Sequence, residues 1–127
     1  MSRWERYGTR DMTFSGWHRT LPNYCTAIDL DFLEYCQKCR TPLALIELAQ
    51  DVSQAHKPTR VMEELAKKAD VPAYLILYKQ DGEKQIGRCR VARIWPNRTD
   101  LKDLSANQVG TLIRKIHVCN CGNEKAK

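Results

Sequence analysis

Three carboxylates, Asp29, Asp31 and Glu47, have the type and spacing to do chemistry. They sit in two apolar runs that read as neighbouring strands, Ala27-Ile28-Asp29-Leu30-Asp31-Phe32-Leu33-Glu34-Tyr35 and Pro42-Leu43-Ala44-Leu45-Ile46-Glu47-Leu48-Ala49. In the first, Ile28, Leu30 and Phe32 share one face while Asp29 and Asp31 share the other. An unpaired charge on a strand buried on both faces costs on the order of several kcal/mol, so these acids require a cation, a base or water in a cleft. A divalent metal is the simplest partner: Mg²⁺ or Mn²⁺ takes a few carboxylate oxygens and keeps positions for water and phosphate. The competing expectation is an edge hairpin with both Asp residues facing solvent and Glu47 paired to an Arg.

Hairpin geometry favours the first expectation. A turn around Gln37 to Arg40 brings positions 29 to 31 opposite 45 to 49, and a register pairing Glu47 with either Asp gathers the acids on one face. The same turn carries Cys36 and Cys39, and the C-terminal end carries Cys119 and Cys121. Two thiolates at a hairpin tip suit a zinc knuckle, and a four-thiolate Zn²⁺ site would pin the tail to the hairpin. The C-x-C spacing is tighter than the usual second half of a zinc ribbon, and reduced thiols are the alternative. Cys25 and Cys89 have no sequence partners and read as small buried residues.

The elements that must position these groups follow from periodicity. Residues 1–20 read as an aromatic, glycine-interrupted arm leading to a short helix or turn around Ser15 to Leu21. Tyr24 to Tyr35 and Thr41 to Ala49 read as strands. A helix from Thr59 to Ala69 has Thr59 as N-cap and Val61, Met62, Leu65 and Ala66 as its inner stripe. Strands at Ala73 to Tyr78 and Ile86 to Trp95 flank an Asp81-Gly82 turn. A last helix, Ser105 to His117, carries Val109, Leu112, Ile113 and Ile116 at helical spacing. The order β-β-α-β-β-α predicts an α/β (α+β) fold, a mixed β-sheet flanked by helices.

The 127 residues suit a single domain over 1–127, with residues 118–127 as a Cys-containing tail. The net charge of +6, from 21 Lys and Arg against 15 Asp and Glu, favours a polyanionic partner. Arg19, Arg88, Arg90 and Arg93 are the candidates for contacting a nucleic-acid backbone. No apolar run approaches the roughly 20 residues that span a bilayer, and Met1-Ser2-Arg3-Trp4-Glu5-Arg6 is too polar for a signal peptide. A cytoplasmic location without membrane association is therefore expected, and homodimerisation is left open.

The segment from Trp17 to Tyr78 resembles the PD-(D/E)XK nuclease superfamily. Thr26-Ala27-Ile28-Asp29 or Leu30-Asp31 looks like its first motif half, and Ala44-Leu45-Ile46-Glu47-Leu48-Ala49 like its second. The resemblance implies a restriction-endonuclease-like core in a small, phage-type, metal-dependent nuclease hydrolysing phosphodiester bonds. Nucleic acid, DNA above all, would be its partner, with Mg²⁺ or Mn²⁺ held by Asp29, Asp31 and Glu47. His18 matches upstream positions that bring a His to the metal in some branches, although a lone His beside an aromatic is more often a packed or surface residue. One departure matters: where the family carries its lysine, this chain has Ala49, followed by Gln50. That lysine is thought to position the attacking water and offset charge at the phosphate. Gln50, Gln54 and Lys57 are the candidates to replace it. The alternative is a catalytically inactive, zinc-stabilised nucleic-acid-binding or adaptor protein on the same scaffold, and a lysine within reach of Glu47 separates the two.

Overall fold

The computed structural model describes residues 12–27, 30–55 and 57–118. Asp29, Cys119 and Cys121 fall outside the described residues, as do most of the expected arm and tail. Along the chain the elements are α1 (Thr13–His18), β1 (Phe32–Cys36), β2 (Thr41–Gln50), α2 (Arg60–Ala69), β3 (Ala73–Gln80), β4 (Ile86–Trp95), β5 (Lys102–Leu104) and α3 (Ala106–Ile116). The five strands form one sheet in sequential order, β1-β2-β3-β4-β5. Only β2 and β3 pair in parallel; the other three pairs are antiparallel. The chain is thus an α+β protein with a mixed sheet. A parallel pair needs a crossover, and α2 supplies it.

Alternation along the inner strands sorts the core onto two faces. Leu45, Ala73, Leu75, Leu77 and Ile94 pack beneath Met62 and Ala66 of α2. Ile46, Ile76, Cys89 and Val91 pack beneath Val109 of α3. The expected stripe of α2 is one residue too wide: Met62 and Ala66 are buried and Leu65 is half-buried, but Val61 is 52 % exposed. The helix ends at Asp70, whose φ of 59° is the left-handed C-cap conformation that a short polar side chain tolerates. Ser105 starts α3 through a capping box, its Oγ accepting from Gln108 N at 3.2 Å while Gln108 Oε1 accepts from Ser105 N at 2.8 Å.

The first strand is the main correction. The apolar run was expected to be extended from Tyr24, but among the described residues regular pairing starts at Phe32. Pro22 and Asn23 begin a turn closed by Cys25 N donating to the Pro22 carbonyl at 2.9 Å, so the chain arrives at the sheet late. At the sheet edge, with β2 as its only strand partner among the described residues, β1 leaves Phe32 56 % and Leu33 46 % exposed. This is the edge position of the competing expectation rather than a strand buried on both faces. The short β5 was not foreseen, because three residues are too few for periodicity to register. No described helix is long and apolar enough to cross a membrane.

Candidate active site

Glu47 lies on the α2 face of β2, between Leu45 and Ala49, both of which pack into the core under that helix. β1 meets β2 with Phe32 opposite Ile46, so continuing this register by one residue brings Asp31 across from Glu47. The contact is direct: Asp31 Oδ2 accepts a hydrogen bond from Leu48 N at 2.9 Å, at the peptide that joins Glu47 to Leu48. Glu47 Oε2 in turn accepts from Lys57 Nζ. Both side chains are half-buried, with Lys57 32 % and Glu47 19 % exposed. Of the three lysine replacements considered, Lys57 is the one placed on Glu47. Gln50 is exposed at the end of β2, and Gln54 is occupied within its own turn, its Nε2 donating to the Gln50 carbonyl at 3.0 Å and its Oε1 accepting from Val52 N at 2.8 Å.

The segment between β2 and α2 delivers Lys57, and a cluster absent from the sequence reading holds it. Asp51 receives Arg90 at both oxygens, Nε to Oδ2 at 3.1 Å and Nη2 to Oδ1 at 2.9 Å, and its Oδ1 also accepts from Ser53 N at 2.9 Å. The same guanidinium donates to the Gln54 carbonyl at 2.7 Å. At the far end of the segment Thr59 is buried. It takes the predicted N-cap position without a side-chain capping bond; its hydroxyl accepts from Arg98 Nη2 at 2.9 Å. Lys57 thus hangs between two anchored points, which limits the freedom lost when it pairs with Glu47. The Asp51-x-Ser53 turn is a sequence signal that could have been found. Its partner Arg90, 39 residues on, carries no local signal.

Arg90 and Ser53 hold the Asp51 carboxyl at about 2, down from the usual 3.8. Because the folded value is the lower one, this group stabilises the fold above about pH 4, and the contribution is lost as pH falls towards 2. Urea midpoints measured at pH 6 and pH 2.5 should therefore differ less in Asp51→Asn than in the parent chain. Equal pH dependence in the two would remove Asp51 from the acid response. Next to it on β4, Cys89 is 1 % exposed, and burial followed by the Asp51 charge pushes its thiol up, as befits a packing residue. Cys25 is only half-buried, short of the expected core position.

Arg90 was expected to contact a nucleic-acid backbone. Its Nε and Nη2 donate to Asp51 and Gln54, which ties it to the segment that carries Lys57. Arg93 is half-buried and its Nε donates to the Asn97 carbonyl at 3.0 Å. Arg88 and Arg19 are exposed, on β4 and at the end of α1. Glu34 faces His117, Oε1 to Nε2 at 2.6 Å, tying β1 to the end of α3. His18 stacks towards Phe14, ring centres 6.3 Å apart. Cys36 is buried at the end of β1, and Cys39 Sγ lies 2.9 Å from Thr41 Oγ1.

Asp31 and Glu47 lie on adjoining strands, and each has a second carboxylate oxygen, Oδ1 and Oε1, besides the one bonded to Leu48 N or Lys57. Mg²⁺ characteristically takes one or two carboxylates and completes its shell with water and substrate phosphate. Among the described residues no group of three or more His, Cys, Asp or Glu could hold a metal ion, while the third acid of the expected set, Asp29, lies outside them. No family model matches the chain, no curated protein matches its sequence, and no solved structure matches its fold.

Proposed function

We propose that this protein is a metal-dependent nuclease that hydrolyses phosphodiester bonds, with nucleic acid, DNA above all, as its partner in the cytoplasm. The observation that carries this reading is the hydrogen bond from Lys57 to Glu47. A PD-(D/E)XK-type site needs a lysine beside the second acid. Here Ala49 occupies the position two residues along the strand, and the ammonium comes from the segment ahead of α2 instead.

Asp31 and Glu47 would hold Mg²⁺ or Mn²⁺ through carboxylate oxygens. An ion held there would supply an activated water and charge compensation at the scissile phosphate. The chain's own residues do the rest. Lys57 keeps a cation at the edge of the carboxylates, where it can donate to the attacking water or to a phosphate oxygen as negative charge develops. Asp31, bonded to Leu48 N, is held in place by the backbone it faces. The Asp51–Arg90–Gln54 cluster keeps the lysine segment from swinging away. Arg19 and Arg88, both exposed, would meet the phosphate backbone from outside.

Titration with Mn²⁺, followed by calorimetry, tests the metal part of this reading. Binding should occur in the parent chain and weaken by at least about tenfold in Glu47→Ala and in Asp31→Ala, the loss typical of disturbing a metal site. Equal Mn²⁺ affinity in all three chains would move the metal elsewhere.

A further inference from the structure

Next to the Glu47–Lys57 pair, on the α2 face of the sheet, lies a cavity of about 310 Å³. It sits at the lower end of small-molecule sites, which run from roughly 300 to 1,000 Å³. Its apolar lining comes from Leu75 of β3 and Ala92 of β4, which pair across the two strands, and from Leu101. Leu75 is also the register partner of Glu47, so this lining begins one strand spacing, about 4.8 Å, from the acid. Lys57 belongs to both places, pairing with Glu47 and lining the cavity.

The rim is polar and unevenly charged. Lys57 and Arg98 supply two cations, and Arg98 is held in place by Thr59 Oγ1 at 2.9 Å and Glu63 Oε1 at 3.2 Å. Thr99 is fixed as well, its Oγ1 accepting from Arg93 N at 2.8 Å and its own N–H donating to the Arg93 carbonyl at 3.0 Å. Beside it the exposed Asp100 carboxylate makes no ion pair among the described residues. A ligand matching all three features has an anionic group for the cations, a flat apolar body for the apolar lining, and N–H donors for the carboxylate. A 5′-mononucleotide unit has that composition. Guanine fits Asp100 best, because it offers two adjacent N–H donors to the two oxygens of a carboxylate, where uracil offers one.

We infer that this cavity is a nucleotide-binding subsite that takes one unpaired, guanine-bearing nucleotide beside the scissile phosphate. This rests on the nuclease reading for its role and deepens it: a base can enter such a cavity only when it is out of the duplex stack, so the substrate class is nucleic acid with unpaired or flipped nucleotides. The phosphate of that nucleotide meets Lys57 and Arg98, and the base lies over Leu75 and Ala92 with its edge on Asp100.

The test is binding of free 5′-GMP and 5′-UMP to the full chain without divalent metal, followed by amide chemical shifts. GMP should shift the amides of Ala55, Thr99 and Leu101 and bind about tenfold more tightly than UMP, the discrimination typical of a bidentate base contact. Asp100→Asn should erase that preference, and Ala55→Trp, a substitution at the exposed mouth, should weaken both nucleotides. No shift with either nucleotide, or a guanine preference that survives Asp100→Asn, overturns the subsite. The assay needs no cleavage, so the two readings fail separately. A chain that binds GMP here but never cuts retains the subsite and loses the nuclease role; one that cuts without binding GMP does the reverse.

Discussion

Replacing Lys57 with alanine should lower nucleic-acid cleavage by about 10²- to 10³-fold, the usual loss when one preorganised donor to a developing negative charge is removed. The fold should be unaffected, because Lys57 is one-third exposed and the anchors on either side of it, Asp51 and Thr59, keep their own partners. The effect should fall on turnover more than on binding, since one surface cation adds little to the contacts of a basic chain with a polyanion. A second substitution makes the prediction specific. Ala49 and Glu47 lie two residues apart on β2 and share a face, so Lys57→Ala combined with Ala49→Lys returns the ammonium to the strand position where a PD-(D/E)XK site carries it. Partial recovery of cleavage would show that the site needs a cation there and accepts it from either direction. Unchanged cleavage in Lys57→Ala alone would reduce the pair with Glu47 to a structural contact.

Leu77→Ala should produce the largest loss of stability, about 2 to 5 kcal/mol by the usual cost of emptying a buried leucine site. Leu77 is 0 % exposed at the centre of the sheet, in the cluster that joins β2, β3 and β4 to Met62 and Ala66 of α2. Against total stabilities of about 5 to 15 kcal/mol for a domain this loss is severe. It should also carry into the site, because Ala49, the register partner of Leu77, packs in the same cluster two residues from Glu47. Urea unfolding checks it: a shift in midpoint equivalent to less than about 1 kcal/mol would mean that the core collapses around the void.

Strong periodicity made much of this architecture readable in advance. The bounds of β4 agree with the expected run to the residue, and β2, β3, α2 and α3 agree to within one or two, because each carries an apolar repeat closed by a turn residue or a cap. β1 was harder to read: its apolar residues promised burial, yet its position at the sheet edge leaves them exposed, and edge position is a property of the whole sheet. For the site, alternation placed Asp31 and Glu47 on adjoining strands and the following segment supplied Lys57 as a candidate. The pairing of Asp51 with Arg90 was out of reach of such reasoning. It joins residues 39 apart in sequence and depends on strand order, which also gives Arg90 an internal partner that no local pattern announces. The cavity over Leu75 and Ala92 depends in the same way on how the loop after β4 folds back onto the sheet.

The most direct test of the central claim is cleavage of single-stranded, duplex and branched DNA and RNA by the purified chain in Mg²⁺ or Mn²⁺, alongside Glu47→Ala and an EDTA control. Metal-dependent cutting of at least one substrate, lost in both Glu47→Ala and EDTA, is the predicted result. Binding of these nucleic acids with no cutting under any metal would contradict it and leave the fold a scaffold for recognition alone.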